Sequence, residues 1–315
     1  MALYYNNMDE SHCKYVGSYA LLKMSTHRSP TPISDFAGLN AQWYSNLYPN
    51  CSLQVCPPAL PAFVKSVLPT ISVPFKLITN NADYTLPRDF EHETNTLLNN
   101  QFLVHWFAQN CTLTHPKITR IPIGVDYHSL HIEPPKLAFM RSPALQHPNG
   151  WGLRKPAVLQ ERDLLQIRSQ AKPFFDREIK AYANFHFFMK MGYAVKDRPD
   201  AYNTIPKELV FYEPIKTQRN NCWNNMTRYA FVVSPHGNGL DCHRTWEALA
   251  LGCIPIVKSS GIDPLFDDLP VWIVAEWGDV TADAMRAKVE EFKNKQFNYE
   301  TLTVGYWKSK IVSTY

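Results

Sequence analysis

The segment Phe231 to Val257, FVVSPHGNGLDCHRTWEALALGCIPIV, constrains this fold more than any other. Phe231 to Ser234 and Ile254 to Val257 are short apolar runs. Between them lie a turn with two glycines and a helix-like stretch near Asp241 to Leu251. Short, fully apolar strands joined through a helix predict neighbouring parallel strands in a sheet covered on both faces. Pro235 lacks an N–H and ends the first ladder. Gly237 and Gly239 let a ligand approach the backbone, and Gly252 stands where a helix C′ glycine belongs.

The turn also predicts a binding site. Asp241 is placed as N-cap of the helix, whose first turn offers free N–H groups and a partial positive charge to an anion. Ser234, His236, Gly237, Asn238 and Gly239 build the approach. Arg244 can grip a phosphate in two-pronged fashion. Glu247 follows His243 by four residues and Arg244 by three, so all three share one side of the helix, where a carboxylate can accept both hydroxyls of a ribose. Trp246, Leu249 and Ala250 take the packing side. The same residues also fit a plain cap and a surface Arg–Glu pair. The turn is not a dinucleotide fingerprint, because Cys242 holds the third glycine position, and no GK[ST] follows to make a P-loop.

The 315 residues suffice for two domains. In the first half, Tyr15 to Lys23 and Phe75 to Thr79 read as strands, Ala59 to Leu68 and Glu93 to Asn110 as helices, and Ile118 to Val125 as a closing strand. Residues 131–156 are Pro-rich and read as a linker or lid. Beyond them, Val158 to Gln170 reads as a helix, Glu178 to Phe188 as a strand entering a helix, and Glu208 to Tyr212 and Val271 to Ala275 as strands. Asp283 to Asn294 has the spacing of an amphipathic helix. The expected division is an N-terminal Rossmann-like domain over 1–150, a second over 151–290, and a tail over 291–315 that returns to the first. Ligands of such sheets sit beyond the carboxyl ends of the strands.

A net charge of +4 without a long basic run does not call for nucleic acid. No apolar run approaches the roughly 20 residues of a membrane span, and no secretory signal is visible. The seven cysteines form no CxxC pair, so no zinc site is expected, and a reduced, cytoplasmic protein is expected. The N-x-S/T triplets at Asn50, Asn110 and Asn225 then read as chance matches.

The run SPHGNGLDCHRTWEALALGCIPIV resembles the C-terminal signature of the exostosin-like glycosyltransferases. DLPVWIVAEWGDVT (Asp268 to Thr281), KDRPDAY, REIKAYANFHFF and HPKITRIPIGVDYHSL are similar to other segments of that family. The likeness spans about residues 75–285 and leaves 1–70 unmatched. It implies a GT-B fold, donor nucleotide held by the C-terminal domain, and transfer of a sugar from a UDP-sugar to a glycan hydroxyl with inversion and no obligatory metal. Xylose, galactose and glucuronic acid are all open. The absence of an Asp-x-Asp triplet agrees with the last point. Most relatives carry a membrane anchor that this sequence lacks; the nearest comparison is the small soluble enzymes of large DNA viruses of algae, which would act in the host-cell cytoplasm.

Such chemistry needs cations at the leaving diphosphate and a base for the acceptor. Arg244 and Arg198 are the expected cations. Asp83, directly after FKLIT, is the expected base, with His105 and His115 in reserve; Asn80, Asn81 and Asp83 also suit a simple turn. Two other classes compete: a non-catalytic carbohydrate-binding or scaffold protein, and a dinucleotide oxidoreductase, which the missing third glycine disfavours.

Overall fold

The chain forms two parallel sheets in a computed structural model that describes residues 9–30, 35–132, 146–147, 149–187 and 189–314. The first sheet has four strands: β1 (Cys51–Val55), β2 (Phe75–Thr79), β3 (Leu103–Ala108) and β4 (Ile118–Arg120). They lie side by side in chain order, every pair parallel. The second has five: β5 (Glu178–Ala183), β6 (Val210–Tyr212), β7 (Tyr229–Val233), β8 (Ile254–Lys258) and β9 (Trp272–Val274). Their order is β6-β5-β7-β8-β9, again all parallel. The chain thus steps outward from β5 to β6, then jumps back to β5's other side to place β7.

Every residue of β1, β2 and β7 is buried, as expected for strands covered on both faces. On one face of the first sheet, Leu53, Phe75, Leu77 and Trp106 pack with Phe63 of α2 (Leu60–Ser66) and Leu97 of α3 (Glu91–Leu98). On the other, Ile78, Phe107 and Ile121 meet Ala20 and Leu21 of α1 (Ser18–Met24) and Trp307 and Ile311 of α9 (Val304–Ser313). The C-terminal helix therefore lies on the N-terminal sheet. Lys76 Nζ fastens it there by donating to the Ile311 and Val312 carbonyls at 2.7 and 3.0 Å.

In the second sheet, Tyr182, Val232 and Val257 pack with α4 (Ala157–Gln170), α6 (Arg219–Met226) and α7 (His243–Ala250) through Leu164, Trp223 and Trp246. The same core takes in Ile123, Val125 and Tyr127 from the first half. The opposite face packs on α5 (Ala194–Thr204) and α8 (Ala282–Lys293) through Ala201, Met285, Val289 and Phe292.

Four sequence expectations are corrected. Tyr15 to Lys23 is not a strand: Tyr15 and Gly17 make single bridges, and Ser18–Met24 is helix α1, burying Ala20, Leu21 and Leu22. Short apolar runs fit either period, and here packing decides. Glu93 to Asn110 is not one helix: α3 ends at Leu98, Asn100 Oδ1 takes the Phe102 amide at 2.8 Å, and the chain turns into buried β3. The expected strand Ile118 to Val125 is regular only over β4. After β5 no helix forms until Ala194 among the described residues, and Phe188 lies outside them. β1 had no sequence expectation at all. Residues 133–145 and 148 of the expected linker also lie outside the described residues. No described helix is long and apolar enough to cross a membrane.

Candidate functional site

A cleft of about 740 Å³ opens beyond the carboxyl ends of β5 and β6. Asn184 to Phe187 after β5, and Glu213 to Thr217 after β6, form two of its walls; Arg198 of α5 and His243, Arg244 and Glu247 of α7 form a third. Asp126 and Ser129 close it from the first half, with His147, Asn149 and Trp151. The strand order reverses at β5/β7, and a crevice is expected at such a switch point.

Arg244 stands at one end, half-buried, donating to Ser234 Oγ and the Pro235 carbonyl, both at 3.3 Å, with its guanidinium 5.3 Å from the Phe185 ring. Burial lowers its pKa to about 10, and the Arg198 charge acts in the same direction. Arg198 is held by the carbonyls of His236 and His186, each at 3.1 Å. Neither guanidinium forms an ion pair with a carboxylate among the described residues. Two cations oriented by neutral acceptors keep their charge available for an anion.

Glu247 is 6% exposed. Burial pushes its carboxyl up to about 7, a rise that Asp126 adds to and that Arg219, Trp223 and Arg244 oppose. Arg219, 1% exposed, reaches the Asp126 carbonyl and Gln160 Oε1. Across the cleft, Asp126 Oδ1 takes the Ser129 amide at 3.0 Å. Burial alone would raise this acid, but His128, His243 and Arg219 hold it well below the usual carboxylate range.

The remaining expected residues shape the turn without lining this cleft. His236 is tied to Asp197, whose Oδ2 takes its amide at 2.7 Å and lies 3.0 Å from its Nδ1; Trp277 Nε1 binds the other oxygen at 2.7 Å. Gly239 is pressed on the first half: a Cβ there would sit 2.7 Å from Asn110 Nδ2 and 3.0 Å from the Asp83 carbonyl. Gly237 accommodates the turn, and Asn238 acts on the Asp83 carboxylate so as to favour its charged form.

Asp241 is corrected in two ways. The N-cap of α7 is Cys242, without a side-chain cap bond. Asp241 is 3% exposed and fully used: Oδ2 accepts the Ile123 amide at 2.7 Å, and Oδ1 accepts Trp246 Nε1 at 2.8 Å. Burial pushes its pKa up to about 7. It joins the two halves through these bonds. At eight residues, α7 also offers only a short dipole.

Asp83 lies on the junction beside the turn. Burial and Asp35 raise its pKa, while Asn238, His128 and Arg198 pull it back. It is not among the residues that line the cleft. His105 lies on β3, bonded to Thr119 Oγ1 at 2.8 Å, and His115 Nδ1 accepts the Lys117 amide at 3.1 Å; neither lines the cleft. Sequence reasoning missed His186, an exposed wall residue whose pKa is lowered by partial burial and then by Arg198. It also missed the gathering of Asp126, His128 and His243, with one ligand-type atom from each within 4.8 Å of the others. Asp126-x-His128 was the only local signal; His243 is more than a hundred residues away and joins them only through the fold.

Fold and site together define an α/β protein with two parallel sheets and a charged cleft of both signs at a switch point. No protein-family model matches the chain, and no curated protein matches it as a relative.

Proposed function

We propose that this protein is an inverting glycosyltransferase of GT-B architecture that binds a UDP-sugar in the cleft and passes the sugar to a glycan hydroxyl. One observation carries the reading: two guanidinium groups not paired with carboxylates and one buried carboxylate converge in a cleft of about 740 Å³ at the strand-order reversal. Arg198 and Arg244 would neutralise the diphosphate as it leaves, and preorganised charge at a developing anion is usually the largest catalytic contribution. Glu247 would take the ribose hydroxyls. Phe185, beneath Arg244, gives the wall an aromatic face.

Asp83 remains the proposed base. It comes from the first half, stands beside the turn, and its raised pKa moves it toward the range in which a carboxylate accepts a proton readily. His186 is a second candidate, favoured by its place on the cleft wall and its lowered pKa. The reading includes the same sugars (xylose, galactose, glucuronic acid) and assigns the donor site no metal.

Titration calorimetry with UDP, GDP and NAD tests the proposal. UDP should bind, and Arg244→Ala should weaken it about 10- to 100-fold, the worth of a charge-assisted contact of about 1.5–3 kcal/mol. NAD binding without UDP binding would favour the oxidoreductase. A glycan ligand with no nucleotide binding would favour the carbohydrate-binding scaffold.

A further inference from the structure

We propose that Asp126, His128 and His243 form a binding site for one divalent transition-metal ion, of which Zn²⁺ is the best match, at the junction end of the cleft. The inference does not rest on the donor; it gives His243, grouped with Arg244 and Glu247 on sequence grounds, a metal as its ligand.

The three side chains are already oriented. Asp126 Oδ1 is fixed by the Ser129 amide at 3.0 Å. His243 is the first residue of α7, and its Nδ1 lies 2.7 Å from the Gly124 carbonyl. A carbonyl only accepts, so Nδ1 carries the proton and Nε2 of the neutral ring keeps a free lone pair. This is the outer-shell arrangement that fixes the tautomer of metal-binding histidines. Gly124 is required for it. Its φ is +72°, and a Cβ there would lie 2.1 Å from the Val16 carbonyl oxygen, so no other residue could present that carbonyl without moving the chain.

His128 supplies the second observation. Its ring lies between Tyr19 and His243, with centroids 5.1 and 5.2 Å away. Its Nδ1 is 3.1 Å from Asp126 Oδ1, yet it is buried and makes no hydrogen bond. Two ligand atoms each about 2.1 Å from one ion stand roughly 3.0–3.4 Å apart, so the spacing suits a shared metal. Glu10 Oε1, also buried without a hydrogen bond, belongs to a carboxylate in electrostatic contact with both His128 and Asp126. Arg219 opposes a cation, but its two terminal nitrogens donate to the Asp126 carbonyl and Gln160.

Two imidazoles and one carboxylate favour Zn²⁺ or its neighbours over Mg²⁺ or Ca²⁺, which prefer all-oxygen shells. Asp126 and His243 line the cleft, so three protein ligands would leave a position facing it, the pattern of open rather than closed zinc sites.

The test uses the full chain, stripped with chelator and titrated with Zn²⁺ and Co²⁺. Elemental analysis should find one ion per chain, and the Co²⁺ spectrum should show ligand-field bands without thiolate charge transfer. His128→Gln, chosen because the ring Nδ1 of His128 makes no hydrogen bond, should weaken binding about 100-fold or more, and Asp126→Asn should do the same. On the unaltered chain, the ring resonances of two histidines should shift with stoichiometric Zn²⁺, and His128→Gln should remove one of them. No stoichiometric uptake, or uptake unchanged in both variants, would overturn the proposal. A thiolate spectrum would do the same, by assigning the ion to cysteines.

Discussion

The two sheets are built alike and end differently. The first runs β1-β2-β3-β4 without reversal, and its carboxyl ends carry Asn80, Asn81, Gln109 and Asn110, all buried. These amides serve the protein itself. Asn80 Nδ2 donates to the Ser18 carbonyl at 2.7 Å, Gln109 Oε1 takes the Asn81 amide at 3.1 Å, and Asn110 Oδ1 takes the Asp241 amide at 2.9 Å. The second sheet reverses between β5 and β7, and its carboxyl ends open on the cleft with Arg244, Glu247 and His186. Parallel strands alone do not make a site. Where strand order runs one way, neighbouring loops can close on each other; where it reverses, they diverge and leave a crevice.

Asp83 stands at the border of the closed end, so it gives the sharpest break in the comparison and the largest expected effect. If the closed end contributes chemistry, Asp83→Asn should lower sugar transfer about 10²- to 10⁴-fold while UDP affinity measured by calorimetry holds. If turnover stays within a few-fold and His186→Gln abolishes it instead, the chemistry belongs wholly to the open end.

Asp241 tests the closed end as a structural joint. Asp241→Ala would orphan two buried donors, the Ile123 amide and the Trp246 indole. Each costs about 1–3 kcal/mol, so denaturant unfolding should show a loss of about 4 kcal/mol. The folded fraction should bind nucleotide as the unaltered chain does. A large loss of affinity with little loss of stability would make Asp241 a ligand contact after all.

Much of this contrast could be read from residue patterns, and the remainder shows where such reading stops. The strand–turn–helix–strand of residues 231–257 was legible because apolar runs, glycines and proline agreed locally. His243, Arg244 and Glu247 were grouped by helix spacing and Arg198 was added by likeness, and the four line one cleft. Asp241 was misjudged because a carboxylate before a helix looks like a cap, whereas Ile123, 118 residues distant, claims it. Leu103–Ala108 was misjudged because an apolar run after a helix continues the helical pattern until a neighbouring strand takes it. The metal-type cluster was hidden for the same reason as Asp241: its third member arrives through tertiary structure.

Glu247 tests the open end, with an effect read as a function of pH. Its folded pKa is raised from 4.5 to about 7, chiefly by burial. The folded state therefore holds a proton that the unfolded chain has already released between those values, and stability is lost as pH climbs through that window. At roughly 1.36 kcal/mol per unit, Glu247 costs about 3 kcal/mol above pH 7 relative to pH 4.5. Glu10 and Asp241 are raised to about 7 as well, and Asp83 is raised too, so the absolute curve mixes several groups. The difference between Glu247→Gln and the unaltered chain isolates one. That variant should gain steadily from pH 4.5 to 7 and be the more stable protein at pH 8, measured by urea unfolding at each pH. It should also bind UDP more weakly, because an amide offers a ribose one acceptor oxygen in place of two. Such a trade of stability for binding marks a carboxylate kept for a ligand. A variant that lost both, or gained stability with binding intact, would place Glu247 among the structural acids of the closed end.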